Sequence, residues 1–135
     1  MIEITLQIAE KIALAAHLKA LQFNKAISVS VVDESGRLVY FSRGDNAGFF
    51  TFDTSRAKAM AAASFKRSTM EISENKDANP LLWYSLPSVV PAQALASPGG
   101  LPVIKDEHVI GGIGIGGGSP EEDHECALAG AATIA

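Results

Sequence analysis

The sequence predicts a mixed α/β fold of the α+β type, and three features of the chain lead to this prediction. Thr5–Ala20 contains many strong helix formers and no glycine or proline, which is typical of a helix of about four turns. Ile27–Ser42 alternates β-branched residues on both sides of the turn-forming stretch Asp33–Gly36, which predicts a hairpin of two antiparallel strands. Pro120–Ile134 follows a helix-capping serine and predicts a closing helix.

The first predicted helix is apolar on two sides. One side carries Ile8, Ile12 and Ala16, and the other carries Leu14, Leu18 and Leu21. A helix of this kind needs two surfaces to pack against. One of them would be its own sheet, and the other would be a second subunit or a ligand.

The middle of the chain predicts a second helix, a long irregular segment and two short strands. Asp53–Arg67 begins with capping residues and continues as an alanine-rich helix whose basic end suits the C-terminal end of the helix dipole. Asn79–Pro102 contains 5 prolines, so we expect mostly irregular structure with one short helical turn around Trp83. The patterns of Leu101–Lys105 and Val109–Gly116 indicate strands joined by a turn.

Length, charge and cysteine content restrict the class of protein. The chain has 135 residues, enough for a single domain with its own core, and a net charge of −4 without any block of basic residues. Binding to nucleic acid or to an anionic membrane is therefore not expected. The single cysteine, Cys126, excludes an internal disulfide. The first residues lack the features of a signal peptide, and no apolar run reaches about 18 residues, so we expect a soluble cytoplasmic protein.

The glycine-rich stretch Val109–Asp123 raises the question of a phosphate site. Gly112, Gly114 and Gly117 satisfy the spacing GxGxxG, but a dinucleotide fold also needs a βαβ unit and a later acidic residue, for which the chain ends too soon. The next residues, Ser119–Asp123, form a capping box and place carboxylates where a phosphate would bind. The stretch is therefore not expected to hold a phosphate.

The same glycines predict a contact surface instead. Because side chains alternate along a strand, Ile113 and Ile115 share one face of the strand while Gly112 and Gly114 share the other. A glycine face marks a place where another backbone or a flat ligand approaches closely. Gly112 and Gly114 are accordingly candidate residues for binding a cofactor.

The order of these motifs resembles the GlcG/HbpS family, which also occurs as the C-terminal domain of PduO-type cobalamin adenosyltransferases. The resemblance covers nearly the whole chain. The matching positions are Val32-Asp33, Gly36, Arg43, Asp45, Ala47, Lys58-Ala59, Gly99-Gly100, Pro102, Gly111, Gly114, Gly117 and Glu122-Asp123. The resemblance implies a profilin-like fold, with helices flanking an antiparallel sheet, and assembly as a homo-oligomer.

The resemblance also implies haem as the cofactor, because several relatives bind it. A histidine in the first helix of PduO-type relatives looks like the iron ligand, and His17 stands at the matching position. Imidazole is a common ligand of haem iron. A lone histidine on such a helix could equally be a polar residue at an interface. Arg43 could pair with a haem propionate or a substrate carboxylate, or it could form an ion pair with Asp45 that holds the loop.

Other residues with suitable chemistry have simpler structural explanations. We expect His124 to be exposed on the last helix and His108 to lie in a turn. Sulfur ligation of iron is possible in principle, but such side chains more often fill gaps in a core; these are Met60, Met70 and Cys126. Aromatic side chains could wall a pocket and are core residues by default; these are Phe49, Phe50, Phe52, Trp83 and Tyr84.

Three hypotheses for function follow. The first is a haem-binding or other tetrapyrrole-binding accessory protein of glycolate, diol or glycerol metabolism, with His17 on the iron. The second is an enzyme or sensor that acts on a small carboxylate or diol, with Arg43 as the anchor of the carboxylate. The third is a structural partner of a metabolic enzyme. Neither a GxSxG nor an HExxH motif is present, so the sequence does not favour an enzyme.

Overall fold

A computed structural model describes residues 3–134 and confirms the mixed α/β fold. The helices and strands alternate in blocks along the chain. In chain order they are α1 (Leu6–Gln22), β1 (Ser28–Asp33), β2 (Leu38–Arg43), α2 (Thr51–Phe65), α3 (Thr69–Asn75), α4 (Pro80–Val89), β3 (Gly100–Lys105), β4 (His108–Gly116) and α5 (Pro120–Ala131). Short 3-10 turns, Lys76–Ala78 and Ala132–Ile134, follow α3 and α5.

The strands form one antiparallel sheet in the order β2-β1-β4-β3. Helices α1 and α5 pack on one face, and α2 covers the other. The alternation of side chains along β1 explains this arrangement, because Val29 and Val31 face α1 and α5 while Ser28 and Ser30 face α2. The main core therefore lies between the sheet and the pair α1 and α5.

Local sequence chemistry fixes the ends of several elements as predicted. The Thr5 hydroxyl accepts a hydrogen bond from the Ile8 amide at the start of α1. The Asp33 carboxylate accepts hydrogen bonds from the Ser35 and Arg37 amides and so closes the first hairpin. The capping box at α5 is complete, since Ser119 and Glu122 each accept a hydrogen bond from the other residue's amide.

The boundaries of the second helix differ from the prediction. Helix α2 begins at Thr51, two residues earlier than expected, and Phe50 caps it without any side-chain hydrogen bond. It ends at Phe65 because Lys66 adopts a left-handed conformation with φ of 60°. Lys66 and Arg67 therefore lie beyond the last helical turn rather than within it.

The prediction of mostly irregular structure between residues 79 and 102 was wrong. Pro80–Val89 forms a ten-residue helix, α4, with a proline at its first position, where the missing amide costs nothing. The sequence analysis also missed α3, which the Ser68 hydroxyl caps by accepting a hydrogen bond from the Glu71 amide. Proline density alone was a misleading signal, because Pro80 starts a helix.

Candidate functional site

His17 lines a groove between α1 and the edge strand β2. Its Nε2 atom lies 2.7 Å from the Ser42 hydroxyl, which joins the helix to the strand. The groove has a volume of about 470 Å³, and Ala13, Leu14 and Tyr40 supply much of its apolar wall. Polar side chains of α1 complete it: Gln7, Glu10 and Lys11. The groove therefore combines an imidazole, an apolar wall, a cation and a carboxylate.

Partial burial determines the charge of His17. It lowers the pKa of the imidazole below its ordinary value of 6.5, because burial disfavours the charged form. The side chain is consequently neutral near pH 7. A neutral imidazole has a free lone pair, which is the form that can bind a metal ion.

The shifted pKa of His17 predicts how stability depends on pH. Because the folded pKa lies below the unfolded value, the unfolded chain binds more protons as the pH falls below about 6.5. This contribution to stability is complete above the unfolded pKa and is lost as the pH falls through the folded pKa. We expect urea unfolding between pH 7.5 and pH 5 to show a smaller loss of stability for His17→Ala than for the unsubstituted chain. Equal losses in both proteins would contradict the shift.

The outer face of α1 beside this groove is apolar, as the sequence predicted. Leu14, Leu18 and Leu21 are 60%, 54% and 72% exposed, and they follow one another at helical spacing. The opposite face of α1 is buried against the sheet and α5. Three large apolar side chains in a row on a helix surface are a feature of a contact surface.

The other three predicted binding residues lie on the opposite face of the sheet from His17. Ser42 points to α1, so its strand neighbour Arg43 points to the α2 face, where it is exposed. Gly112 and Gly114 also face α2. The structure therefore does not bring these residues together with His17 in one site.

The glycine face of β4 meets a backbone of the same chain. A Cβ atom on Gly112 would overlap the Ala59 carbonyl, and a Cβ atom on Gly114 would overlap the Ser55 carbonyl. Both carbonyls belong to α2. The close approach predicted for this face is thus the packing of α2 onto the sheet, which fills the space in front of the glycines.

A buried ion pair that the sequence analysis missed joins α2 to α5. The Lys58 ammonium lies 3.0 Å from the Asp123 carboxylate and donates a hydrogen bond to the Ile115 carbonyl at 2.8 Å. The Gly118 amide donates to the other carboxylate oxygen of Asp123. Gly99, with φ of 125°, lies against both charged side chains, and a Cβ there would be 2.9 Å from the Asp123 Cβ.

The buried position of this ion pair disfavours the charged form of the Asp123 carboxylate. Burial raises the pKa of Asp123, and the ammonium of Lys58 and the Gly118 amide act against that effect. The local sequence around Asp123 predicts only a carboxylate at the start of α5. Lys58 is 65 residues away in the chain, so no local pattern indicates that the two side chains pair.

The remaining candidates lie apart from the groove. His108 is exposed at the start of β4. His124 is partly buried rather than exposed, and its Nδ1 atom has no hydrogen-bond partner within residues 3–134. Cys126 is fully buried, and burial raises its pKa to about 11, so it is a neutral core thiol as expected. The expected ion pair of Arg43 with Asp45 is absent from the described part of the chain.

The aromatic residues divide into three groups. Phe49 and Phe50 are 71% and 69% exposed and contact each other, so the expectation of core positions was wrong for both. Phe52 packs edge-on against Phe41 on the α2 face. Trp83 lies 4.8 Å from the Phe65 ring, and the neighbouring Tyr84 is exposed. Met60 and Met70 are partly buried.

Between residues 3 and 134, no three metal-binding side chains of the His, Cys, Asp or Glu type gather at one point. The helices in the same range are all too short or too polar to cross a bilayer.

Comparison with known proteins identifies the family of the chain. A family model described as "Haem degrading protein HbpS-like" matches residues 4–132. The chain belongs to the HbpS-like family. This confirms the resemblance inferred from the motifs. An uncharacterised 15.0 kDa protein from the dhaT-dhaS intergenic region of Citrobacter freundii is 37% identical over 89% of this chain and 84% of its own length.

Solved structures of the HbpS-like family share the whole fold. Klebsiella pneumoniae ORFY superimposes with a TM-score of 0.90 at 35% identity, covering 99% of this chain and 92% of its own. The complex of PduOC with haem superimposes with a TM-score of 0.87 at 28% identity, covering 98% and 96%. The second of these proteins binds haem in its crystal.

Three of the positions that carry the resemblance lie at the ion pair and not at the groove. Lys58, Gly99 and Asp123 belong to three motifs that are far apart in sequence. In the fold they meet at one point, with Lys58 on α2, Asp123 on α5 and Gly99 immediately before β3. These three positions hold α2 and α5 together beside the start of β3 in this chain.

Proposed function

We propose that this chain is a single-domain, homo-oligomeric accessory protein that binds haem, with His17 as the ligand of the iron. The observation that carries the proposal is the neutral imidazole of His17 at the apolar groove between α1 and β2. The haem complex of PduOC, which shares the fold at 28% identity, supports the choice of ligand.

The residues of the groove fit a haem group in chemistry. Leu14, Ala13 and Tyr40 offer apolar contact to a porphyrin. Because the Ser42 hydroxyl holds Nε2, the nitrogen of His17 that would bind the iron is Nδ1. Lys11 takes the role first considered for Arg43, because it lines the groove and can pair with a propionate. When bound, haem supplies an iron centre with one coordination position filled by the protein.

The protein's own residues determine how His17 is presented. The Ser42 hydroxyl and the Nε2 atom share one hydrogen bond, which fixes the imidazole ring against β2. Burial keeps the ring neutral over a wider range of pH than a free histidine. Both effects prepare the side chain for coordination before any ligand arrives.

Homo-oligomer formation is part of the same proposal. The exposed leucines at positions 14, 18 and 21 of α1 form an apolar stripe that a second copy of the chain would cover. The stripe adjoins the groove, since Leu14 belongs to both. The setting in glycolate, diol or glycerol metabolism rests on the family resemblance.

A haemin titration tests the proposal. We expect saturable one-to-one binding with a Soret band that shifts on coordination. His17→Ala should weaken binding at least about tenfold, which corresponds to about 1.4 kcal/mol, and abolish the shift, because it removes the ligand of the iron. His108→Ala is the matched control and should bind like the unsubstituted chain, because His108 is exposed on β4 and does not line the groove between α1 and β2.

Size-exclusion chromatography of both variants separates loss of ligation from loss of assembly. Haemin binding that is equal in all three proteins, or that never saturates, would overturn the role of His17. The Soret band is followed over time in the same samples, because the family description names haem degradation, which would appear as a steady loss of absorbance.

A further inference from the structure

Helix α4 lies over the α2 layer without joining the core. None of its residues is buried, and its sequence is strongly apolar, with Leu81 80% and Val89 71% exposed. The contacts that hold this region to α2 are few. The Trp83 ring contacts the Phe65 ring at a tilt of 54°, and the Leu95 amide donates a hydrogen bond to the Ala57 carbonyl at 3.3 Å. An apolar helix with so little buried surface is a low-stability element of the fold.

Helix α4 and the residues after it form the roof of a cavity. The cavity has a volume of about 280 Å³ and lies between α2, the turn of the first hairpin and the end of α4. Its apolar lining comes from Met60, Phe65, Leu86 and Val90. A dry cavity of about 150 Å³ already accommodates benzene, so this one is large enough for a ligand of six to eight carbons.

The polar lining of the cavity determines which ligand it suits. Ser35, Ser64 and Gln93 offer hydrogen bonds, and Glu34 is the one charged side chain among the lining residues. Arg56 is not a lining residue; its guanidinium donates to the Met60 sulfur and to the Ala92 carbonyl. The lining itself therefore carries one charge, the carboxylate of Glu34.

We propose that this cavity is a second binding site, separate from the His17 groove, for a small primary ammonium compound with an apolar body. The apolar part would lie between α2 and the roof, where it would cover the half-buried Leu86 and Val90. The ammonium group would lie at the mouth beside Glu34. An anionic metabolite would meet the same carboxylate and be disfavoured.

A matched series of six-carbon probes tests this site. Hexylammonium, hexanol and hexanoate are titrated separately, and binding is followed by the NMR shifts of the Gly36 and Ser64 amides. We expect hexylammonium to bind about threefold tighter than hexanol and about tenfold tighter than hexanoate, because exposed ion pairs change affinity by a factor of up to about five. Glu34→Gln should remove the preference for the ammonium probe.

Two pairs of variants make the result specific. Val90→Trp fills the cavity and should abolish binding, whereas Val89→Trp places the same side chain on the exposed side of α4 and should not. Glu107→Gln removes an equivalent charge from the turn of the other hairpin and should leave the preference unchanged. Hexanoate binding as tightly as hexylammonium, binding that survives Val90→Trp, or no saturable binding of any probe would each overturn the proposal.

Discussion

Lys58→Met is expected to lower the free energy of unfolding by about 3–5 kcal/mol, because it leaves the buried carboxylate of Asp123 without its partner. Both side chains are almost completely buried, at 6% and 3% exposure, so water cannot replace the lost ammonium. The Ile115 carbonyl loses a hydrogen bond at the same time. Urea unfolding followed by circular dichroism measures the change.

A second ion pair provides the control for Lys58. Lys25 lies 3.9 Å from Glu122, and its side chain is 48% exposed. Lys25→Met should therefore change stability by at most about 0.5 kcal/mol. Adding Asp123→Asn to Lys58→Met should recover part of the loss, because the neutral amide removes the buried charge and its oxygen can still accept from the Gly118 amide. Equal effects of Lys58→Met and Lys25→Met would show that the buried pair does not hold the helices together.

Local sequence rules predicted those parts of the fold that a short stretch of sequence determines by itself. The β1-β2 hairpin followed from alternation and from Asp33, whose carboxylate organises the turn by itself. The start of α5 followed from Ser119 and Glu122, because a capping box is complete within four residues. The order of strands in the sheet, in contrast, depends on contacts between distant residues. The family resemblance supplied an antiparallel sheet flanked by helices but no strand order.

Helix α4, which covers the cavity, is an element that local sequence rules failed to predict. Five prolines between residues 79 and 102 suggested an irregular chain, yet Pro80 stands at the first position of α4, where proline is favourable. Pro87 lies inside the same helix and does not end it. Counting prolines without their positions therefore concealed a helix and the cavity beneath it.

The candidate site could be predicted only in part from the sequence. His17 was found because the family resemblance marks its position, and the structure adds the groove and the Ser42 contact. Arg43 was grouped with His17, but a one-residue offset along β2 sends its side chain to the other face of the sheet. Which side of a sheet a residue faces depends on the packing of every element around it, and that information is absent from a motif.

Gly114→Ala is expected to destabilise the fold by more than about 3 kcal/mol or to prevent folding, because the added methyl group would overlap the backbone of α2. The Cβ atom would coincide with the Ser55 carbonyl and lie 2.6 Å from the Ala59 amide nitrogen. A flexible side chain could move aside, but a helix backbone that contacts all four strands cannot do so locally. The yield of soluble protein and its urea midpoint measure the effect.

Gly48→Ala is the matched control, because no atom lies within 4 Å of the Cβ that it adds. It should leave the free energy of unfolding within about 0.5 kcal/mol of that of the unsubstituted chain. The comparison also distinguishes the two interpretations of the glycine face. If the face binds a flat ligand and α2 packs loosely, Gly114→Ala should fold normally and fail only in binding. If α2 itself occupies the face, the loss must appear in stability without any ligand present.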